Sequence, residues 1–418
     1  MKIAYICADF GIPIFGFKGA SVHVREMVTT LQNLGHEVVI FSPRTERVGN
    51  NGVQLNVVDV QHPAAFQETL ESFKSLDQLF GRKNRFRQDI RNLQYNTTLF
   101  EQMRPQLEHG NFDFIYERYT LFNYAGIALA RELGIPHILE VNAPLCYEKE
   151  KASGIDIKNL AHELEQRIFT DTDHLFVVST HLQTYAQSLG VPPEQITVLP
   201  NGVTMDKFHT ARPQQVRQQY GLDDQITIGF VGSLKPWHGT ETLVSAFNHI
   251  SGEEQKSNLL LVGDGPQRPF LAEQVDTAGL TDRVIFTGKV PHAEVPDYAA
   301  AMDIAVAPYT PNDNFYFSPM KIFEYMAAGT AVVAAAIGQV KEAVQHGETG
   351  LLYEPGNIED LTNCLQYLIR NEAVRRQLGK AGRSWVQQNQ TWEQNAATVL
   401  EAARKAQQKS FAQELYPL

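Results

Sequence analysis

Short apolar runs alternate with amphipathic helical stretches along this chain, and the alternation starts over near its middle. Runs at residues 2–6, 37–41, 113–116, 136–141 and 174–178 are bounded by turn-forming residues and read as buried strands. Helical stretches between several of them predict a parallel sheet covered by helices, because one parallel strand reaches the next only through a long crossover. The same grammar resumes at 226–231, 259–262, 284–286, 304–307 and 331–334, with helical segments such as 241–249 and 267–277 between them. The predicted fold class is therefore α/β, with two doubly wound parallel-sheet domains of Rossmann-like kind, and 418 residues suffice for two cores. Pro200-Asn201-Gly202 is expected to make the turn between them, since Asn and Gly tolerate left-handed backbone. The expected division is 1–200, 201–390, and a helical segment 391–418 that crosses back to the first domain. Ligands of such sheets sit beyond the carboxyl ends of the strands, so the loops 9–20, 232–239 and 308–319 are the places to look for function.

A formal net charge of −11 argues against a nucleic acid partner, which wants a basic face. Cys7, Cys146 and Cys364 are few, scattered and partly within apolar runs, as expected of buried thiols in a reducing compartment. The opening residues 2–6 read as a strand and not as a signal peptide, and no apolar run approaches the ~20 residues of a membrane span, so the expected location is cytoplasmic. The basic stretch 82–91 reads first as a solvated helix; peripheral contact with anionic lipid is the alternative, not favoured. No zinc-site spacing connects the histidines, and Asp171-Thr172-Asp173 has the position of turn and cap residues, so no metal is expected.

The segment that carries chemistry begins at Ser318. Ser318 and Pro319 read as the N-cap and first residue of a helix that ends at Gly329, with Met320 following inside it. Its third position holds Lys321, where a capping box calls for Glu or Gln and the positive end of the helix dipole disfavours a cation. Such a lysine makes sense once an anion such as a diphosphate docks on the free N–H groups; otherwise it extends into solvent. Glu324, one turn on, is placed to accept hydrogen bonds from a sugar diol, or simply to pair with Lys321.

The stretch from Phe317 through Ala334 resembles the nucleotide-sugar site of glycosyltransferase family 4, retaining enzymes of the GT-B fold. Gly35-His36-Glu37-Val38, Leu199-Pro200-Asn201-Gly202-Val203, Leu261-Val262-Gly263-Asp264-Gly265-Pro266, Phe286-Thr287-Gly288-Lys289-Val290-Pro291 and Gly347-Glu348-Thr349-Gly350 carry the resemblance along the chain. It implies two domains facing a central cleft and a UDP- or GDP-sugar as donor substrate, with no separate cofactor. It also implies Glu324 on the ribose, the loop from Gly288 through Val290 to His292 on the base, and the helix start at Ser318, Pro319, Met320 and Lys321 on the diphosphate. Gly19 would approach that diphosphate closely, or be only a turn glycine.

Departures from the family pattern locate what the resemblance leaves open. A glutamate that often addresses the donor sugar is replaced by Tyr316, leaving the sugar contact to it or to a neighbour such as Asp313 or Ser318. In the loop 232–239, Ser233 and His238 stand where an Arg and a Lys are common, with Lys235 between them as the nearest fixed charge, able to complete a pair with Lys321. Asn142 stands where many relatives have a histidine; it can hydrogen-bond a sugar but cannot shuttle a proton. Glu117, Arg118, Glu140 and Glu148 form either the acceptor side or a buried ion network. The resulting expectation is a retaining hexosyl- or amino-hexosyltransferase acting on a hydroxyl acceptor. An epimerase or hydrolase of the same fold, or a silent nucleotide-sugar-binding protein, is the alternative.

Overall fold

The structure, a computed structural model, describes residues 1–46, 54–81, 85–254, 256–312 and 314–415, with the backbone alone for 410–415. Of the basic stretch 82–91, the first three residues lie outside this set, as does Asp313. The chain divides into one unit of Met1–Pro200 with Asn395–Leu418 and a second of Asn201–Gln394.

In the first unit, β1 (Lys2–Cys7), β2 (Glu37–Ser42), β3 (Asn56–Asp59), β4 (Phe114–Arg118), β5 (His137–Val141), β6 (His174–Val177) and β7 (Ile196–Val198) form one sheet in the order β3-β2-β1-β4-β5-β6-β7. Every pairing in it is parallel. β1, β4 and β5 are almost wholly buried, which is why each shows a short apolar run even though β4 and β5 also bury charged residues. The order reverses between β1 and β4, so the loops after those strands flank a switch point.

The second unit repeats the plan with β8 (Ile226–Val231), β9 (Ser257–Val262), β10 (Val284–Gly288), β11 (Ile304–Ala307), β12 (Ala331–Ala335) and β13 (Leu351–Tyr353), ordered β10-β9-β8-β11-β12-β13 and again parallel. The helix Met320–Ala328 packs Ile322, Phe323, Tyr325 and Met326 into the core. The Tyr325 hydroxyl accepts from the Val231 N–H at 2.7 Å, which ties this helix to the end of β8. Gly239 has φ +67°, and a Cβ there would stand 1.7 Å from the Pro308 carbonyl oxygen, so only glycine lets the loops after β8 and β11 close on each other. The long helical region near the C-terminus is three helices, Ile358–Arg370, Glu372–Asn389 and Trp392–Leu415.

Two local expectations are corrected. Neither Asn201 nor Gly202 has left-handed backbone. Gly202 is required by space instead, since a Cβ there would meet the Trp392 N at 2.6 Å. Asn201 is a clamp: its N–H donates to the Ser318 Oγ at 2.9 Å and its Nδ2 to the Ser318 carbonyl at 2.7 Å.

Candidate functional site

Ser318 is consequently not the helix cap. Its side chain is spent on Asn201, and Pro319 holds the N-cap position without a side-chain cap, so the first N–H groups of Met320–Ala328 have no capping side chain. Pro319 is buried and Met320 half-buried beside them. Gly329, at φ +76°, stops the helix as expected.

Lys321 neither extends into solvent nor pairs with Glu324. Its Nζ is buried and has no hydrogen-bond partner among the described residues. The ammonium lies 4.1 Å from the centroid of the Phe230 ring and 5.2 Å from that of Tyr309, and a Cβ on Gly232 would stand 2.9 Å from it. The two ring faces return part, about 2 kcal/mol or more per desolvated contact, of the several kcal/mol lost when an ammonium leaves water. Burial accordingly pulls its pKa down to about 7, only partly opposed by Glu324.

His238 is a neighbour of this ammonium and not a second cation. It ends the turn Pro236–His238, with its ring against Phe230 and Tyr309. Its Nδ1–H donates to the Ser233 carbonyl, leaving Nε2 as an acceptor, while the Ser233 Oγ lies at the 3.5 Å limit. Burial first, then Lys321 and Lys235, lower its pKa to about 3, so it does not titrate near neutrality as an ordinary imidazole would. Lys235 places its ammonium 4.7 Å from the centroid of the half-exposed Trp237 ring.

Glu324 turns toward the loop after β10. Its Oε1 is 3.2 Å from the His292 Nε2, with side-chain exposures of 15% and 29%. His292 is thus a side-chain partner that sequence reading treated only as the end of a loop. Gly288 has φ +74°, and its carbonyl accepts from the Gly263 N–H and the Thr287 hydroxyl, both at 2.9 Å. Val290 is half-buried against the core. Tyr316 packs edge-on against Phe317, which lies on Phe315 and Tyr309.

The remaining candidates lie in the first unit and divide into separate groups. Gly19 is not in a loop: it opens the helix Gly19–Asn33. Glu140, at the end of β5, is buried with His23, the Tyr116 hydroxyl at 2.5 Å and the Arg118 Nη1 at 3.0 Å; Asn142 Nδ2 also donates to it. Burial would raise its pKa, but His23, Arg118 and Tyr116 outweigh that and hold it well below the usual carboxylate range. Asn142 therefore presents its Oδ1, as an acceptor.

Glu117 points to the other face of β4 from Arg118, where it is buried, accepting from the Asn123 Nδ2 at 2.7 Å and facing the His137 Nε2 at 3.0 Å. A Cβ on Gly126 would strike its carboxylate, so it is sealed beneath the helix Ala125–Leu133 and belongs to the scaffold. Glu148 stands apart in the helix Leu145–Ala152, its pKa raised by burial. Asp173 caps the His137 N–H at 2.8 Å and Asp171 pairs with Arg131 at 3.1 Å, the turn roles expected of them.

Cys146, His162 and Glu165 bring possible metal-ligating atoms within 4.8 Å of one another. Glu165 already accepts from the Tyr119 and Tyr185 hydroxyls, and His162 faces Glu150 at 2.6 Å, so the protein supplies their partners. No helix among the described residues is long and apolar enough to cross a membrane.

Comparison with known proteins bears on both units. Residues 17–207 match the model of Glycosyltransferase Family 4, and residues 225–371 that of Glycosyl transferases group 1. A GDP-mannose-dependent alpha-(1-6)-phosphatidylinositol monomannoside mannosyltransferase of Mycobacterium tuberculosis is 30% identical over 59% of this chain and 65% of its own length. The matched region thus spans just under two thirds of that relative. A D-inositol 3-phosphate glycosyltransferase of Thermobispora bispora is 27% identical over 80% of this chain and 78% of its own. Among solved structures, Anabaena HepE in complex with UDP and glucose superposes with a TM-score of 0.70 at 18% identity, covering 97% of this chain and 100% of that one.

Proposed function

We propose that this chain, which belongs to glycosyltransferase family 4 and has the GT-B fold, moves a hexose or amino-hexose from a nucleoside diphosphate sugar to a hydroxyl acceptor, with retention at the anomeric carbon. The observation that carries this reading is the buried Lys321 Nζ, without a hydrogen-bond partner among the described residues, beside the uncapped start of Met320–Ala328. A cation held there without a counterion is costly, and a diphosphate removes the cost. UDP- and GDP-sugars are the donors to expect, in keeping with the donor in the mannosyltransferase's name and the UDP solved with HepE.

In the proposed reaction the bond between the anomeric carbon and the diphosphate oxygen breaks, and its electron pair leaves on the diphosphate. The acceptor oxygen forms the new bond, and its proton passes to the departing phosphate. Lys321 and the helix N–H groups hold the growing negative charge in a site shielded from water. Glu324 takes the ribose diol, exchanging its contact with His292 for two hydroxyl donors. This charge handling gives a metal ion no required role.

A thermal-shift and turnover panel of UDP- and GDP-sugars, with and without mixed hydroxyl acceptors, tests the reading. At least one nucleoside diphosphate stabilises the protein, and its sugar is consumed only with acceptor present. Glu324→Ala weakens donor binding by about tenfold, the loss of a hydrogen-bonded carboxylate. Full-rate consumption without acceptor makes the protein an epimerase or hydrolase, and binding without turnover makes it a silent sugar-nucleotide binder. Stabilisation by no nucleoside diphosphate at all sinks the proposal.

A further inference from the structure

A second cation without an ion pair among the described residues lies in the first unit. The loop after β1 begins Asp9-Phe10-Gly11, where the Asp9 Oδ1 accepts from the Gly11 N–H at 2.6 Å. Arg44, just past β2, donates from Nη1 to the Phe10 carbonyl at 2.7 Å, and the Arg91 guanidinium lies 4.1 Å from the centroid of the Phe10 ring. Lys18 reaches the same loop, with its Nζ 3.1 Å from the Gly11 carbonyl. Arg87, one turn before Arg91 on the helix Arg85–Gly110, pairs with Glu71 at 2.6 Å, and Arg44 pairs with Glu46 at 3.0 Å. Arg91 has only the amide oxygen of its neighbour Asn92, at 3.2 and 3.1 Å, and no ion pair among the described residues.

In a chain with a formal charge of −11, these cations converge instead of dispersing. Burial, together with Arg87 and Arg44, lowers the Arg91 pKa, and Asp9 is the one acidic group that opposes them. Phe10 and Arg44 stand at the carboxyl ends of adjacent strands, where ligands of such sheets bind. The loop is held in place as well: Arg25 donates to the carbonyls of Ile14 and Gly16, both at 2.7 Å.

Resting on the transferase reading, we propose that Arg91, with Arg44 and Lys18 beside Phe10, forms the subsite for a phosphate group carried by the acceptor. A guanidinium fork matches two phosphate oxygens, and a phosphate supplies the direct ion pair that Arg91 lacks among the described residues. The other role open to Arg91 is stacking on Phe10 alone, which would leave its charge without a use.

The test titrates inorganic phosphate, glycerol 1-phosphate and glycerol into the full chain, with excess UDP and GDP filling the donor site. A parallel arm measures binding to phosphatidylglycerol vesicles and to phosphatidylcholine vesicles, separating a free phosphate from a lipid headgroup. The expected result is binding of the phosphate-bearing probe in at least one arm, no binding of its neutral counterpart, and a loss of about tenfold or more in Arg91→Gln. Arg91→Lys, which keeps the charge and loses the fork, falls between, and a purely structural arginine would lower stability without changing phosphate affinity. Equal binding by wild type and Arg91→Gln, or no binding of any phosphate probe, overturns the inference. Nucleoside diphosphate affinity, measured alongside, checks the fold of each variant. A wild type that binds UDP or GDP but no phosphate probe overturns this subsite alone, while one that binds neither nucleotide overturns the transferase reading.

Discussion

Lys321→Met is expected to stabilise the ligand-free protein by about 1–3 kcal/mol and to weaken nucleoside diphosphate binding by about 100-fold or more. The two effects have opposite signs because they have one cause. The Lys321 ammonium is buried among Phe230, Tyr309 and Gly232 without a hydrogen-bond acceptor among the described residues, and methionine keeps the volume and removes the charge. Lys321→Ala would lose the same binding without the gain in stability, since it leaves a void.

The pH dependence follows from the direction of the shift. The Lys321 pKa falls from 10.5 to about 7 in the folded protein, so above neutrality the unfolded chain binds the extra proton. The cost is full below about 7, is relieved as pH rises through that value, and has vanished above 10.5. Urea unfolding at pH 6.5 and pH 9.5 checks it: the advantage of Lys321→Met over wild type shrinks at the higher pH. A variant less stable than wild type at both values would mean that Lys321 is satisfied where it lies.

Glu140→Ala is expected to destabilise the first unit by about 3–5 kcal/mol, among the largest single-residue effects in the protein. The carboxylate is the shared partner of His23, Tyr116, Arg118 and Asn142. Removing it leaves a buried guanidinium without its counterion, and that penalty exceeds the net worth of the pair itself. The folded pKa of Glu140 lies below its ordinary 4.5, so its stabilisation is fully present above that value and is lost as pH falls through the depressed one. Denaturant curves at pH 7 and pH 3.5 measure this, with the gap between wild type and variant narrowing at the lower pH. A loss under about 1 kcal/mol at pH 7 would contradict the account of the network.

Every inner strand was legible in the sequence, as was the edge strand β10, and the strands it hid are the other edges. β1, β4, β5, β9, β11 and β12 are almost wholly buried, and each carries a short apolar run, interrupted in β4 and β5 by buried polar residues. β3, β7 and β13 end their sheets, have only four, three and three residues, and are partly exposed, so neither length nor alternation marks them. At the candidate site, the misplaced charge of Lys321 was visible because it breaks helix grammar. The box around it was not, since Phe230 and Tyr309 read as ordinary core residues and their convergence is tertiary. The same limit explains Lys235, which read as a partner for Lys321 and lies over Trp237 instead. It also explains His238, whose burial silences the titration that its residue type suggests.

Proton uptake on nucleoside diphosphate binding tests the role of Lys321 most directly. At pH 8.5 the diphosphate is fully ionised and Lys321 is mostly neutral in the free protein, whereas a docked diphosphate restores its charge. Calorimetric titration of UDP or GDP in buffers of different ionisation enthalpy should therefore report uptake of about one proton per site, absent in Lys321→Met. Binding with no proton uptake, or with the same uptake in Lys321→Met, would contradict the placement of the diphosphate on this lysine.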